Sequence, residues 1–453
     1  MEQMLLFTNH HQPLGAGRNG CGDLANSVMN RIGVEDRSVH AWYRFVLSFP
    51  PHLVDEYVQR FNLNQNSVLL DPFCGTGTTL VQAKKRGIPS VGIEANPMAS
   101  FASEVKVDWK PDPAGLISHV RQISESVTEE YKTAGIFDEP LLRLLSDAGS
   151  QSVLKTLEPE RMKLLLKDSI SPLPLHKTLV LLEHIRKESH PDFFRHEMLA
   201  LAKALVNAIS NLRFGPEVGV GTIKDDAPVL RLWREEMAVM ADDLDCFKVL
   251  AGVPSAVYRA DSRRLKELLA PCSIDAVITS PPYPNEKDYT RTTRLELVFL
   301  GFLNNMADLR ALKKTLVRSN TRSVYKEDDD DHWIAGNERI REIAEKIETR
   351  RIELGKTSGF ERLYARVTKL YFGGMFRHLQ DLRTVLKPGA RLAYVVGDQA
   401  SYLRVMIRTG EILSDIARTL GYEVVGIDLF RTRLATATRE QLREEVVVLR
   451  WPG

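Results

Sequence analysis

Short apolar runs rich in β-branched residues alternate along this chain with longer stretches whose apolar positions recur every three to four residues. That alternation predicts strands interleaved with helices, an α/β order with a largely parallel sheet. The strand-like runs are Ser67-Val-Leu-Leu-Asp71, Val91-Gly-Ile-Glu94, Ser255-Ala-Val-Tyr258, Asp275-Ala-Val-Ile-Thr279, Ala390-Arg-Leu-Ala-Tyr-Val-Val396, Tyr422-Glu-Val-Val-Gly-Ile-Asp428 and Glu445-Val-Val-Val-Leu449. Helical spacing marks a segment entered at Pro50 and running toward Phe61, then 80–87, 116–132, 197–212, 295–303, 363–386 and 411–420. Glycine at Gly87 and Gly421, and Pro388-Gly389, supply the stops.

The spacing of these runs is uneven. Residues 110–250 fill a gap where one helix and a turn would serve, which predicts an inserted helical subdomain, and a smaller insertion spans 304–360. The chain then divides into an N-terminal segment with a helix on the ligand side (1–60), a nucleotide-binding half (61–109), the helical insertion (110–250), a second half-site (251–303), the second insertion (304–360) and the C-terminal part of the sheet (361–453). Glycines in 12–36, at Gly15, Gly17, Gly20 and Gly22, read as loop. The stretch Arg213–Lys224, also glycine-rich, is a candidate lid over a site.

At 453 residues, 43% hydrophobic and 26% charged, the chain has material for a large core in two or three domains. No run approaches the roughly 20 apolar residues of a membrane span, and Met1–His11 has no basic start leading into an apolar stretch, so a cytoplasmic protein is expected. Four cysteines, Cys21, Cys74, Cys246 and Cys272, lack the spacing of a zinc knuckle or a disulfide framework and read as reduced thiols. The net charge of +2 is too small to argue for nucleic acid, so such an argument must rest on local basic patches.

The chemistry concentrates at two strand ends. Asp71-Pro-Phe-Cys-Gly75-Thr-Gly77-Thr-Thr79 reads as strand, tight loop and helix start, and Glu94 follows where a doubly wound fold puts the acid that grips ribose hydroxyls. A phosphate loop would need Gly-Lys-Ser/Thr, which is missing. Cys74 within the loop has no nearby base and reads as a small packing residue. At the second end, Ser280-Pro281-Pro282-Tyr283 leaves its strand along a stiff path with unspent carbonyls. A serine hydroxyl beside a free carbonyl makes two acceptors that suit the N–H groups of an exocyclic amine, and Tyr283 offers a face for a base to stack on.

At these residues the chain resembles the amino-methyltransferases of DNA, which carry an (Asp/Asn/Ser)-Pro-Pro-(Tyr/Phe/Trp) motif. Asp71-Pro-Phe-Cys-Gly-Thr-Gly-Thr-Thr79 is similar to that family's cofactor loop, and Gly92-Ile-Glu94-Ala95-Asn96-Pro97 to its ribose strand. The resemblance implies a Rossmann-like methyltransferase with a mixed, mostly parallel seven-stranded sheet. It also implies S-adenosylmethionine as methyl donor and the amino nitrogen of cytosine (N4) or adenine (N6) as acceptor. The serine form at Ser280 is closer to the cytosine-N4 members. Catalytic roles fall on Ser280, Pro281, Pro282 and Tyr283. Cofactor contacts fall on Asp71, Pro72, Phe73, Gly75, Gly77, Thr78, Thr79, Glu94, Ala95 and Asn96. Phe49-Pro50, shaped like a family motif that precedes a helix, would hold the methionine end, and Asp261-Ser262 would reach the adenine. Phe49-Pro50 also reads as a plain helix start, and Asp261 or Ser262 as the cap of a helix running to Leu269.

Double-stranded DNA as partner, with base flipping, rests on polar and basic stretches. Asn285–Arg294, including Arg291 and Arg294, should line the mouth of the site. Lys313, Lys314, Arg318, Asn320 and Arg322 mix cations with amide and hydroxyl groups as a reader of phosphates and base edges would, although charge runs are as often solvated surface. Arg431, Arg433 and Arg439 would fall on the ligand-bearing edge, with a phosphate contact expected there. The run Asp328–Asp331 with His332 reads as an exposed acidic turn rather than a metal site, and methyl transfer by this route needs no metal. Pro271-Cys272 is similar to the Pro-Cys of carbon-5 cytosine enzymes, yet precedes its strand.

The cofactor loop comes before Ser-Pro-Pro-Tyr, whereas many family members run the other way, so the recognition sequence and the segment that reads it are not set by the resemblance. Rival readings are an adenine-N6 enzyme, an RNA amino-methyltransferase and a subunit that binds cofactor and DNA without reacting. A cognate restriction or defence component would fit the family. The whole reading requires that Gly75 and Ser280 meet at one rim of the sheet.

Overall fold

The computed structural model describes residues 37–43, 48–139, 153–214, 217–285, 287–434 and 441–453. The glycines at 15–22, Cys21, Arg439 and the Gly215-Pro216 tip of the candidate lid lie outside the described residues. Strands are β1 Leu69–Asp71, β2 Ser90–Ile93, β3 Leu212–Phe214, β4 Val218–Val220, β5 Ser255–Tyr258, β6 Ile274–Thr279, β7 Leu386–Gly397, β8 Glu423–Leu434 and β9 Gln441–Arg450. Seven of them form one sheet in the order β5-β2-β1-β6-β7-β9-β8, while β3 and β4 make a separate hairpin.

Pairing is parallel from β5 through β7, and β9 runs antiparallel between β7 and β8. The chain therefore winds outward from β1 in one direction to β2 and β5, then returns to lay β6 on the other side of β1. Neighbouring parallel strands whose connections diverge leave a crevice at their carboxyl ends, where open α/β sheets bind ligands. Leu69 of β1 is in register with Ala276 of β6. That single pairing brings the glycine loop after β1 and the Ser-Pro-Pro-Tyr turn after β6 to one rim.

The strands are apolar on both faces because helices cover both. Ala276, Ile278, Ala393, Val395, Val446 and Val448 point toward the helix Pro51–Arg60. Their alternates Val277, Leu392, Tyr394, Val396, Val447 and Leu449 point toward the helices Glu338–Glu353, Tyr364–Leu382 and Thr409–Thr419. The helices Pro113–Thr133, Pro172–Lys187, Phe194–Ala204 and Val229–Phe247 fill the stretch between β2 and β5. They share a core with Leu80, Met98 and Val105, so this helical region is packed onto the nucleotide-binding half.

Residues 304–360 fold as helices Met306–Thr315 and Glu338–Glu353 joined by short turns. The acidic run in this segment is a correction to the expected exposed turn. Asp328 receives both Nε and Nη2 of Arg318, and Asp330, buried, accepts from Arg263 and from Arg377 at 2.6 Å. A charge inside a protein requires a partner; Arg318 of the basic run supplies one to Asp328, and Arg263 and Arg377 supply those of Asp330.

Candidate active site

The loop after β1 is a turn that only glycine adopts without strain. Gly75 has φ +52° and Gly77 φ +82°, and a Cβ on Gly77 would come within 3.0 Å of Ser103 Oγ. The loop is also pinned from behind. Ser103 Oγ donates to the Gly75 carbonyl at 2.7 Å, and the buried Lys106 Nζ donates to the Thr76 carbonyl at 2.7 Å. Cys74 is buried beside Ser103 and against Gly92, the packing role expected of it. Thr76 Oγ1 is buried with no partner among the described residues, and Thr76 lines the cavity in front of the loop.

At the end of β2, Glu94 bridges two turns. Its Oε2 accepts from the Gly75 amide at 2.9 Å and its Oε1 from the Asn96 amide at 2.7 Å. Burial pushes the carboxyl up to about 7, with the two amides pulling the other way and Asp71 adding to the rise. Asn96 caps the helix Pro97–Lys106 through Oδ1 and donates Nδ2 to Thr293 Oγ1 at 3.0 Å.

Asp71 departs from its expected role, since it lies fully buried beneath the rim and is not part of the cavity wall. Its Oδ1 accepts from Thr279 Oγ1 at 2.6 Å and from the Phe73 amide at 3.1 Å, while Oδ2 has no partner among the described residues. Burial pushes this carboxyl up to about 6, opposed by the hydroxyls of Thr279 and Thr79 and the Phe73 amide. Because Thr279 immediately precedes Ser280, the bond ties the two motif-bearing strand ends together. Thr79 does the same from the loop side, donating to the Ile278 carbonyl at 3.1 Å. Gly77 and Thr79 likewise shape the loop without lining the cavity, whereas Pro72, Phe73, Gly75 and Thr78 line it.

After β6, Ser280 Oγ donates to the Val395 carbonyl of β7 at 3.1 Å. That leaves the lone pairs of the hydroxyl as acceptors. Tyr283 packs on Gly397, where a Cβ would come within 3.1 Å of the ring, and burial followed by the charge of Glu444 pushes its phenol well above the ordinary value. Ser280, Pro281, Pro282 and Tyr283 line the same cavity, of about 520 Å³, as Gly75 and Glu94. Phe49 and Pro50 also line it, just before the helix Pro51–Arg60.

Ser262 reaches the cavity, but Asp261 does not. Its carboxylate is held by Arg263, with Nε at 2.9 Å and Nη2 at 2.6 Å, and the expected helix to Leu269 is a single 3-10 turn, Leu265–Glu267. Among the expected DNA contacts, several are turned inward. Lys313 pairs with Asp288 at 2.8 Å, and Arg318 is enclosed by Asp328 and nearby carbonyls. Arg294 donates to the Thr290 and Leu164 carbonyls, and Arg291 to Val218 in the β3–β4 hairpin at 3.2 Å. In this structure these side chains serve as internal supports. Asn320 is buried and lines the cavity, Lys314 and Arg322 are exposed, and Arg433 is described by its backbone in β8.

Arg431 does fall on the ligand-bearing edge, since two antiparallel pairings restore β8 to the direction of β7. The sequence reasoning passed over Glu444, which lines the wall beside it; Tyr289, within the stretch expected at the mouth, lines the cavity with its hydroxyl 3.5 Å from the Tyr283 amide. Cys272 is exposed before the start of β6, at the end remote from the cavity. No group of residues suited to a metal ion occurs among the described residues, and no helix among them is long and apolar enough to cross a membrane.

A doubly wound, mostly parallel sheet with a glycine loop, an acid after the second strand and an aromatic Pro-Pro turn at one switch point defines a Rossmann-like methyltransferase. Comparison with known proteins agrees. The DNA methylase family of N6 and N4 methyltransferases matches residues 30–102. Type II methyltransferase M.BsoBI of Geobacillus stearothermophilus is 26% identical over 452 residues, covering 92% of this chain and 85% of that protein. Type II methyltransferase M.AvaI of Nostoc sp. is 22% identical over 453 residues, covering 95% and 90%. Type II methyltransferase M.MjaII of Methanocaldococcus jannaschii is 38% identical over a shorter stretch of 71 residues, covering 16% of this chain and 13% of that protein. Together these similarities support an amino-methyltransferase of the N4/N6 family.

Proposed function

We propose that the protein transfers a methyl group from S-adenosylmethionine to the N4 amino group of a cytosine flipped out of double-stranded DNA. The observation that carries this reading is the common cavity in which the Gly75 loop and the Ser280–Tyr283 turn meet at the ends of adjacent parallel strands. The donor side fits the cofactor. Glu94 is an acceptor for ribose hydroxyls, Thr76 Oγ1 is a buried polar atom awaiting a partner, and Phe49-Pro50 borders a helix N-terminus that favours a carboxylate. When bound, S-adenosylmethionine supplies an electrophilic methyl group on a positively charged sulfur.

On the acceptor side, Tyr283 stacks on the flipped base, while Ser280 Oγ and the Pro281 carbonyl accept the two amino hydrogens. Those bonds favour a pyramidal nitrogen whose lone pair is otherwise delocalised into the ring. The acceleration comes from orientation and fixed dipoles, without a covalent bond to the enzyme. Serine is a weak base, so the amino proton leaves after transfer, to water. The relatives' designation as Type II methyltransferases supports a restriction-modification setting with a separate cognate nuclease.

Labelled methyl transfer to DNA, RNA and protein, followed by nucleoside analysis, tests the proposal. The expected product is N4-methylcytosine in duplex DNA. Label confined to N6-methyladenine would shift the acceptor to adenine, label confined to RNA would replace the substrate, and cofactor binding without transfer would leave a non-catalytic subunit.

A further inference from the structure

The far wall of the cavity carries a second assignment, which rests on the function proposed above. Gly397 of β7 is paired with Glu444 of β9, and Glu444 with Arg431 of β8. A Cβ on Gly397 would lie 3.1 Å from the Tyr283 ring and 3.4 Å from Glu444 Cγ, so ring and carboxylate stem rest on the same glycine. Arg431 Nε donates to Glu444 Oε2 at 2.6 Å, and Nη2 approaches the same oxygen. A row from Tyr283 through Glu444 to Arg431 thus crosses three strands beside Ser280, and all four residues line the cavity.

Two features show that this pair is built into the site. First, β8 is irregular between Leu429 and Arg431, which face the consecutive residues Glu445 and Glu444 of β9. Leu429 is exposed while the Arg431 side chain is largely buried, so the bulge turns the guanidinium inward. Second, Phe430 also lines the cavity, and the Arg431 guanidinium lies 5.6 Å from its ring centre. The phosphate contact expected from sequence suits this geometry poorly, because the Glu444 carboxylate neutralises Arg431 and would itself repel a phosphate.

We propose that Arg431, oriented by Glu444, is a specificity-determining residue that reads the edge of the acceptor base. A guanidinium carries five N–H donors, and one shared carboxylate oxygen does not exhaust them. Beside its amino group, cytosine presents two acceptors, the ring nitrogen N3 and the carbonyl O2. On the corresponding edge adenine presents one ring nitrogen, N1, followed by a C–H, and its N7 lies on the opposite side of the amino group, so the fork finds two neighbouring acceptors only on cytosine. Glu444 acts through Arg431 as a positioning residue.

The test uses the full-length protein with Arg431→Met and Arg431→Lys, duplex DNA carrying methylatable sites and labelled S-adenosylmethionine. It reads turnover, cofactor affinity and the dependence of DNA binding on salt. Arg431→Met should lower kcat/KM about 100-fold, with cofactor affinity within twofold and an unchanged slope of log K on log salt. Arg431→Lys keeps the charge but loses the fork, and should still lose at least about tenfold. Turnover within threefold of wild type in either variant would overturn the assignment. So would a salt slope reduced by about 0.9 at unchanged kcat, the mark of a lost phosphate contact. If Arg431→Met loses cofactor affinity through misfolding, Arg431→Lys alone decides. Wild-type protein that places no label in DNA cytosine would instead defeat the function proposed above, and this assignment with it.

Discussion

The donor and acceptor ends of the cavity are built on different principles. The donor end comes from two consecutive strand-to-helix turns, 71–79 and 94–97, shaped by positive-φ glycines, backbone bonds and one carboxylate. The acceptor end is assembled from the turn after β6, the ends of β7, β8 and β9 and residues 315–323 of the second insertion. Ion pairs inside the protein support it, among them Arg318–Asp328, Lys313–Asp288 and Arg263–Asp330. A donor site of this kind needs one geometry for one cofactor and can be encoded locally. An acceptor site gathered from distant segments leaves each wall free to change with the base and the DNA sequence it serves.

The largest effect should come from breaking the support of the acceptor end. Asp330→Ala leaves the buried Arg263 without one of its two carboxylates, which should lower stability by about 3–5 kcal/mol. Denaturant midpoints measure it, and a loss below about 1 kcal/mol would mean that the pairs contribute no more than surface ones.

Next, Tyr283→Ala removes the stacking face. Base–aromatic stacking of about 1–3 kcal/mol predicts a fall in kcat/KM of about 100-fold with cofactor affinity within twofold. Equal loss of both would show that the two ends are not separable.

Glu94 makes the donor end sensitive to pH, with opposite signs for binding and for stability. With the ionised carboxylate as the proposed acceptor for ribose, cofactor affinity should drop about tenfold per unit as pH falls below about 7. Folding raises this pKa from the ordinary 4.5 to about 7, and that of Asp71 from 3.8 to about 6. Between the ordinary and raised values the folded chain holds more protons than the unfolded one. Stability attributable to these groups therefore decreases as pH rises through that window and is level above it. Glu94→Gln should flatten the binding profile at a cost of about tenfold in affinity at pH 8, measured by calorimetry, and a wild-type profile flat from pH 5.5 to 8 would remove Glu94 from the ribose site.

The smallest effect should come from Lys314→Ala. This exposed lysine pairs with Glu327 on the surface. Its loss should leave turnover unchanged and reduce the salt slope of DNA binding by about 0.9 if it meets a phosphate, and by nothing if it does not.

Local chemistry was readable in the sequence alone. Pro51 at a helix start, the glycine loop, the acid at Glu94 and the Ser-Pro-Pro-Tyr turn each require particular residue types at adjacent positions. The partner of each charge, by contrast, could not be read from the residue types alone. Lys313 and Arg318 look like a DNA-reading run and Asp328–Asp331 like a solvated turn, yet Arg318 pairs with Asp328, Lys313 with Asp288, and Asp330 with Arg263 and Arg377. Asp261 carries the right chemistry for an adenine contact and is taken by Arg263. Glu444 had no local signal at all, since its partners Arg431 and Gly397 are strand neighbours rather than sequence neighbours.

The order of amino acids was thus enough to define the alternating elements, the two motif-bearing strand ends and the resemblance to the amino-methyltransferases. Backbone conformation and hydrophobic period are short-range properties, written within a few residues of where they act. Which cations are exposed and which are buried, and which side chains line the cavity beside Ser280, emerged only on folding. Those outcomes depend on electrostatic and packing partners that the sheet brings together from far along the chain.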